Sequence, residues 1–186
     1  DTFKAGDGLN NPEAVKVCVE EGPERLAELR RLGVSFTTER DLSRDGGGGL
    51  HLTREGGHSA RRVVHVRDMT GRSVQEALVE AVEAHPNITV LERHQAIELI
   101  TSRRLGQPGT NRCIGAYIYN GATGEVVTVL ARVTLLATGG AGKVYLYTSN
   151  PDVATGDGVA MAWRVGARIA NMEFFQFHPT CLFHPK

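Results

Sequence analysis

The apolar run Val133-Thr134-Leu135-Leu136-Ala137 stops at Thr138-Gly139-Gly140, where two residues without Cβ let another group come close to the backbone. A nucleotide-binding strand end is built in this way. Further on, Thr155-Gly156-Asp157-Gly158 opens the small and apolar segment Val159 to Ala167, which suits a helix pressed tightly on a sheet. Together these segments predict a ligand crevice with one carboxylate at its mouth. Asp157 is either a ligand contact or an acid favoured by a helix N-terminus. Glu55 lies between Arg54 and Gly56-Gly57 in a stretch too polar for a core, where a solvated loop carboxylate is the commonest outcome. His178 precedes Pro179 and so takes an extended or turn conformation at the end of Phe174-Phe175-Gln176-Phe177. A lone histidine of this kind is often a hydrogen-bonded structural residue.

Other chemistries fit less well. His51 and His58 are separated by flexible glycines, and no Cys or His pair has the spacing of a zinc finger or a metalloprotease, so no metal is expected. Ser59 is not in a Gly-x-Ser-x-Gly elbow, which argues against a serine hydrolase.

The elements that position these residues read as follows. Asn11-Pro12 is a helix start, with an apolar stripe from Ala14 to Val19 running to a break at Gly22-Pro23. A second helix from Glu24 to Leu32 stops at Gly33, and Val34 to Thr38 is extended. Asp45 to Gly49 is costly to order and reads as a mobile surface loop. A helix over about Val74 to Ala84 follows, with Val74, Leu78, Ala81 and Val82 inward, and then a short strand, Ile88 to Glu92. Extended runs Ala96 to Thr101, Cys113 to Tyr119 and Val126 to Arg132 have short connections, which predict an antiparallel meander.

The bulk properties exclude several classes. The chain has 186 residues, 21 basic and 21 acidic side chains, and no formal net charge, so neither nucleic acid nor an anionic membrane is an expected partner. No apolar run approaches a membrane span, and the first residues lack the apolar core of a signal peptide. Cys18, Cys113 and Cys181 are far apart and odd in number, which suits a reduced, cytoplasmic setting.

Four groups of residues carry a resemblance: Leu136 to Gly140, Asn150-Pro151-Asp152, Thr155 to Gly158, and Glu173 to Thr180. They resemble the FAD-linked succinate dehydrogenase, fumarate reductase and L-aspartate oxidase superfamily. The block His51-Leu52-Thr53-Arg54-Glu55-Gly56-Gly57-His58-Ser59, with Arg61-Arg62, is similar to the L-aspartate oxidases in particular; succinate and fumarate enzymes have an apolar residue at the place of Glu55. The match spans nearly the whole chain, in family order.

The resemblance implies an α/β fold. A partial, glutathione-reductase-like FAD-binding domain would span residues 1–171, with the meander inserted into a parallel nucleotide sheet, and a capping domain would begin over 172–186. It implies FAD bound without a covalent link, touched by Gln95 and Ala96 through the backbone, by Thr138, Gly139 and Gly140, and by Asp157. Glu55 would meet the ammonium group of L-aspartate, an appropriate partner for a carboxylate. His178, cationic in an anion site, would bind a dicarboxylate oxygen with help from the Thr180 hydroxyl. The implied reaction oxidises L-aspartate to iminoaspartate at the start of bacterial-type NAD synthesis, passes electrons to oxygen or fumarate, and feeds quinolinate synthase. A soluble fumarate reductase or succinate dehydrogenase flavoprotein, or a non-catalytic module binding a partner or nucleotide, are the alternatives. A dinucleotide domain of this kind should open with a strand, a Gly-x-Gly-x-x-Gly turn and a helix, and no such fingerprint occurs here. The expectation is therefore a piece that starts after the first βαβ unit, consistent with the lack of an initiating Met.

Overall fold

The structure is a computed structural model that describes residues 1–42, 48–67 and 69–177. The element order is α1 (Thr2–Ala5), α2 (Pro12–Arg31), α3 (Glu39–Leu42), β1 (Leu52–Thr53), β2 (Val63–Val64), α4 (Thr70–Glu83), β3 (His94–Thr101), β4 (Cys113–Asn120), β5 (Val126–Leu130), a 3-10 turn at Gly142–Val144, and α5 (Asp157–Arg164). The chain divides into two units, Asp1–Val90 and Leu91–Lys186.

In the first unit, the Asn11 side chain caps α2 by accepting from Glu13 N and Ala14 N at 3.0 and 3.2 Å. The expected break at Gly22-Pro23 does not occur: α2 runs through Pro23 as one 20-residue helix. Proline forfeits one backbone bond inside a helix, but its fixed φ is helical. A side-chain cap at one end and the half-buried Leu26 and Leu29 beyond Pro23 favour continuation. The buried side chains of this unit are Val34, Phe36 and Thr37. Thr37 bonds on both sides, donating to His65 O at 2.8 Å and accepting from His51 N at 3.0 Å, which bears out the extended reading of this segment. Helix α4 starts earlier than expected, at Thr70, and takes Gly71-Arg72-Ser73 into its first turn. Leu78 is exposed, while Val74, Ala81 and Val82 are half-buried. The loop expected over Asp45 to Gly49 lies largely outside the described residues.

In the second unit β3, β4 and β5 form a three-stranded antiparallel meander in that order, as their short connections predict. The expected strand Ile88 to Glu92 is irregular, and the first strand begins two residues later at His94. Arg93 takes a positive φ of 56°, and its carbonyl accepts from Gly121 N at 2.8 Å. This turn, rather than the β-branched residues before it, sets where pairing starts.

Strand β3 is irregular between Ala96 and Glu98, where pairing steps from Ile118 to Tyr117. Ile97 is the extra residue of this bulge. Strict alternation would put Ala96 and Leu99 on opposite faces. The bulge turns both towards α5, where they join Ala116, Ile118 and the fully buried Met161 in one apolar cluster. The same kink frees the carbonyl of Ile97 to accept from Arg164 Nη2 at 2.9 Å. The Glu98 carboxylate holds Arg164 Nε at 2.7 Å and Arg104 Nη1 at 3.1 Å.

The run Val133 to Ala137, expected as a buried strand of a parallel sheet, is neither a strand nor buried. Val133 and Leu135 are 84% and 85% exposed. Every ladder among the described residues is antiparallel. Apolar residues make a strand only where neighbours supply hydrogen bonds and cover, and among the described residues none does so for this run. Among the described residues no helix is long and apolar enough to cross a membrane.

Candidate functional site

The expected site residues fall into two groups, one in each unit. In the first unit, Leu52 and Thr53 pair with Val64 and Val63, so residues 54–62 are the loop of a short hairpin. Its tip is a tight turn in which His58 N donates to Glu55 O at 3.1 Å. Gly57 has a φ of 82°, a conformation that favours glycine and matches the third position of a type II turn. Glu55 is exposed, and its carboxylate has no partner among the described residues. The loop base is fastened by Arg62 N donating to Thr53 O at 3.0 Å and Thr53 Oγ1 donating to Val63 O at 3.3 Å. His51 Nδ1 and His65 Nε2 are 2.7 Å apart below it. An anionic group on a fixed turn can receive a cation such as an ammonium.

In the second unit Gln95 and Asp157 line one cleft of about 470 Å³, with Arg93, His94, Tyr119, Asp152 and Thr155 among its other walls. Gln95 comes from the start of β3, and Asp157 is the first residue of α5, whose N-cap Gly156 is left-handed. The Thr155 hydroxyl donates to Asp157 Oδ1 at 2.9 Å and leaves Oδ2 without a partner among the described residues. Lys143 Nζ lies 2.8 Å from Asp152 Oδ1, and its hydrogen bond and charge hold the Asp152 carboxyl below the usual range. Ala96 packs its side chain into the apolar cluster and is not among the residues that line the cleft.

The turn Thr138-Gly139-Gly140 meets the start of α5. Gly156 N donates to Gly140 O at 3.1 Å, and a Cβ on Gly158 would lie 1.7 Å from Thr138 Oγ1. Thr138, Gly140 and Asp157 are therefore brought to one end of α5, with Gly139 open to solvent beside them. His178 and Thr180 lie outside the described residues. The stretch before them is anchored by Tyr145, Phe175 and Phe177, whose ring centroids are 4.8 to 5.0 Å apart.

His94, Tyr119 and Thr155 were not singled out by the sequence. Thr155 lies inside the segment that pointed to Asp157; His94 and Tyr119 reach the cleft through β3 and β4 pairing, which leaves no local signal. Among the described residues no cluster of histidine, cysteine and acidic side chains is arranged for a metal.

The profile of the FAD binding domain family matches residues 1–186. The chain belongs to this family, whose cofactor is FAD. It is 56% identical over 185 residues, 100% of its length, to L-aspartate oxidase 1 of Ralstonia nicotianae, and 52% identical over 186 residues, again 100%, to L-aspartate oxidase of Yersinia pestis. It is 53% identical over 183 residues, 98% of its length, to the chloroplastic L-aspartate oxidase of Arabidopsis thaliana. The chain spans 34%, 34% and 27% of the length of these relatives. Among solved structures it is similar to a mutant FrdA chain of E. coli quinol fumarate reductase, with a TM-score of 0.77 and 26% identity. That likeness covers 88% of this chain and 26% of the other.

Proposed function

We propose that the protein carrying this chain oxidises L-aspartate to iminoaspartate with non-covalently bound FAD. The observation that carries this reading is identity of about half, along the whole chain, to L-aspartate oxidases of bacteria and plants. The fumarate reductase chain shares the fold at 26% identity.

The residues in and beside the cleft fit one end of a dinucleotide. Asp157 Oδ2 can accept from a hydroxyl or amino edge, the Gln95 and Ala96 backbone can meet a base, and the Thr138-Gly139-Gly140 turn admits close approach. When bound, FAD supplies a two-electron acceptor as C2 of L-aspartate loses a hydride and the ammonium loses a proton, with electrons passed on to oxygen or fumarate. Glu55 receives the ammonium group, which succinate and fumarate lack. His178 and Thr180 hold a carboxylate oxygen. The reading includes the division into an FAD-binding part, 1–171, and the start of a capping part, 172–186. It also includes a cytoplasmic setting in NAD synthesis ahead of quinolinate synthase.

Glu55→Gln tests this reading in the longest native polypeptide that carries the sequence. Loss of one charge-assisted hydrogen bond, about 1.5–3 kcal/mol, should slow L-aspartate oxidation roughly ten- to a hundredfold. Fumarate reduction should be nearly unchanged. Equal losses with both substrates contradict the role, and a wild-type protein that reduces fumarate but leaves L-aspartate untouched supports a fumarate reductase instead.

A further inference from the structure

We propose that Asp1 is a positioning residue that aims the Glu55 carboxylate at the amino group of the substrate, an inference that rests on the role of Glu55 given above. Asp1 Oδ2 accepts three bonds from the far side of the hairpin loop: from Ser59 N at 2.8 Å, Ser59 Oγ at 2.9 Å and Arg62 Nη2 at 2.5 Å. Arg62 Nη2 also donates to Ser59 Oγ at 3.1 Å, so the acid, the hydroxyl and the guanidinium close a ring. The Asp1 side chain is only 18% exposed. Bonds between charged partners in such a setting are shorter and stronger than neutral ones.

The clamp connects to Glu55 by short, fixed steps. Ser59 follows His58, whose N–H closes the turn on Glu55 O, and Arg62 N is bonded back to Thr53 O at the other arm of the loop. Glu55 has no side-chain partner of its own among the described residues. The backbone therefore sets where its Cα, and so the arc its carboxylate can sweep, is placed, and the backbone of residues 54–62 is held by the turn, the hairpin base and Asp1.

The test is steady-state kinetics of the longest native polypeptide with Asp1→Ala, Asp1→Asn, Glu55→Gln and the Asp1→Ala/Glu55→Gln pair, using L-aspartate oxidation and fumarate reduction. Asp1→Ala should raise KM for L-aspartate roughly tenfold, the factor for losing one well-aimed charged contact. It should leave KM for fumarate and the amount of bound FAD unchanged. In the Glu55→Gln background it should add nothing to the ratio of the two KM values. A purely structural role would shift both substrates alike, and that result overturns the inference. So does a full Asp1 effect that persists without Glu55. Should Asp1→Ala not fold, Asp1→Asn carries the same test: it keeps the size of the side chain and removes the charge that holds Arg62, and an unchanged KM ratio overturns the inference. Glu55→Gln leaving the ratio unchanged overturns the functional reading and this inference together; a shift for Glu55→Gln with none for Asp1→Ala overturns the inference alone.

Discussion

Gly158 shows how much the contact between α5 and the Thr138-Gly139-Gly140 turn depends on single atoms. A Cβ there would lie 1.7 Å from Thr138 Oγ1 and 2.7 Å from Thr138 Cβ, closer than real Cβ contacts come. Gly158→Ala must push α5 away from the Thr138-Gly139-Gly140 turn, at a cost of about 1–3 kcal/mol for overpacking. In the longest native polypeptide that carries the sequence, a lowered thermal midpoint together with weaker FAD retention is the expected outcome, checked by calorimetry and by flavin content after gel filtration. Thr138→Ser, which keeps the hydroxyl, should not relieve the clash in Gly158→Ala, whereas Thr138→Gly should. At this scale the sequence was informative where the requirement is local. The glycines around Asp157 and the turn at Glu55 could be read from neighbours in the chain. Asp1 could not, because its partner Ser59 is 58 residues away and nothing around either residue marks the contact.

Among the elements, α5 is held on β3 by both kinds of force. Met161 fills the apolar cluster, while Arg164 reaches the Glu98 carboxylate and the carbonyl freed at Ile97. Burial alone would raise the Glu98 carboxyl, but the hydrogen bonds from Arg164, Arg104 and Leu99 N, with the charge of Arg104, hold it below the usual glutamate range. The sign follows: a carboxyl lowered on folding adds stability that is full above its unfolded value, about 4.3, and is lost as pH falls through the lowered folded value. Denaturant titrations between neutral pH and about pH 3 should show this loss, and Glu98→Gln should flatten it. At neutral pH Glu98→Gln should cost about 1 kcal/mol or less, since both guanidinium partners are more than a third exposed and solvent screens the ion pairs. The meander itself was legible from three apolar runs and two turn-rich connections. The bulge at Ile97 was not, because no glycine or proline marks it. The helix break expected at Gly22-Pro23 does not occur: α2 runs through it although residues 16–25 are all exposed, and half-buried leucines return only at Leu26 and Leu29.

For the whole molecule, the exposed Val133 to Leu136 run and the open Thr138-Gly139-Gly140 turn bear on what these 186 residues do alone. Apolar strand formers without cover invite association, and no Gly-x-Gly-x-x-Gly turn is present to cradle a pyrophosphate. The isolated chain should bind FAD weakly and sediment as concentration-dependent oligomers. Micromolar or tighter binding by a stable monomer, in a fluorescence titration, would contradict this. The nucleotide sheet was legible as an apolar run but not as a structure, since a parallel strand is defined by neighbours and this run has none among the described residues. The bulged meander has one more consequence, in the order of events during synthesis. Among the described residues strands β3 to β5 pair with their chain neighbours, so this wall of the cleft, with Gln95 and Tyr119, can form as soon as it emerges from the ribosome. The other wall waits for α5, whose Arg164 must return across 66 residues to Glu98, a slower closure. Gln95 is thus in place before Asp157 arrives, and the cleft is completed by a docking step that a nascent chain reaches only after translating past Arg164.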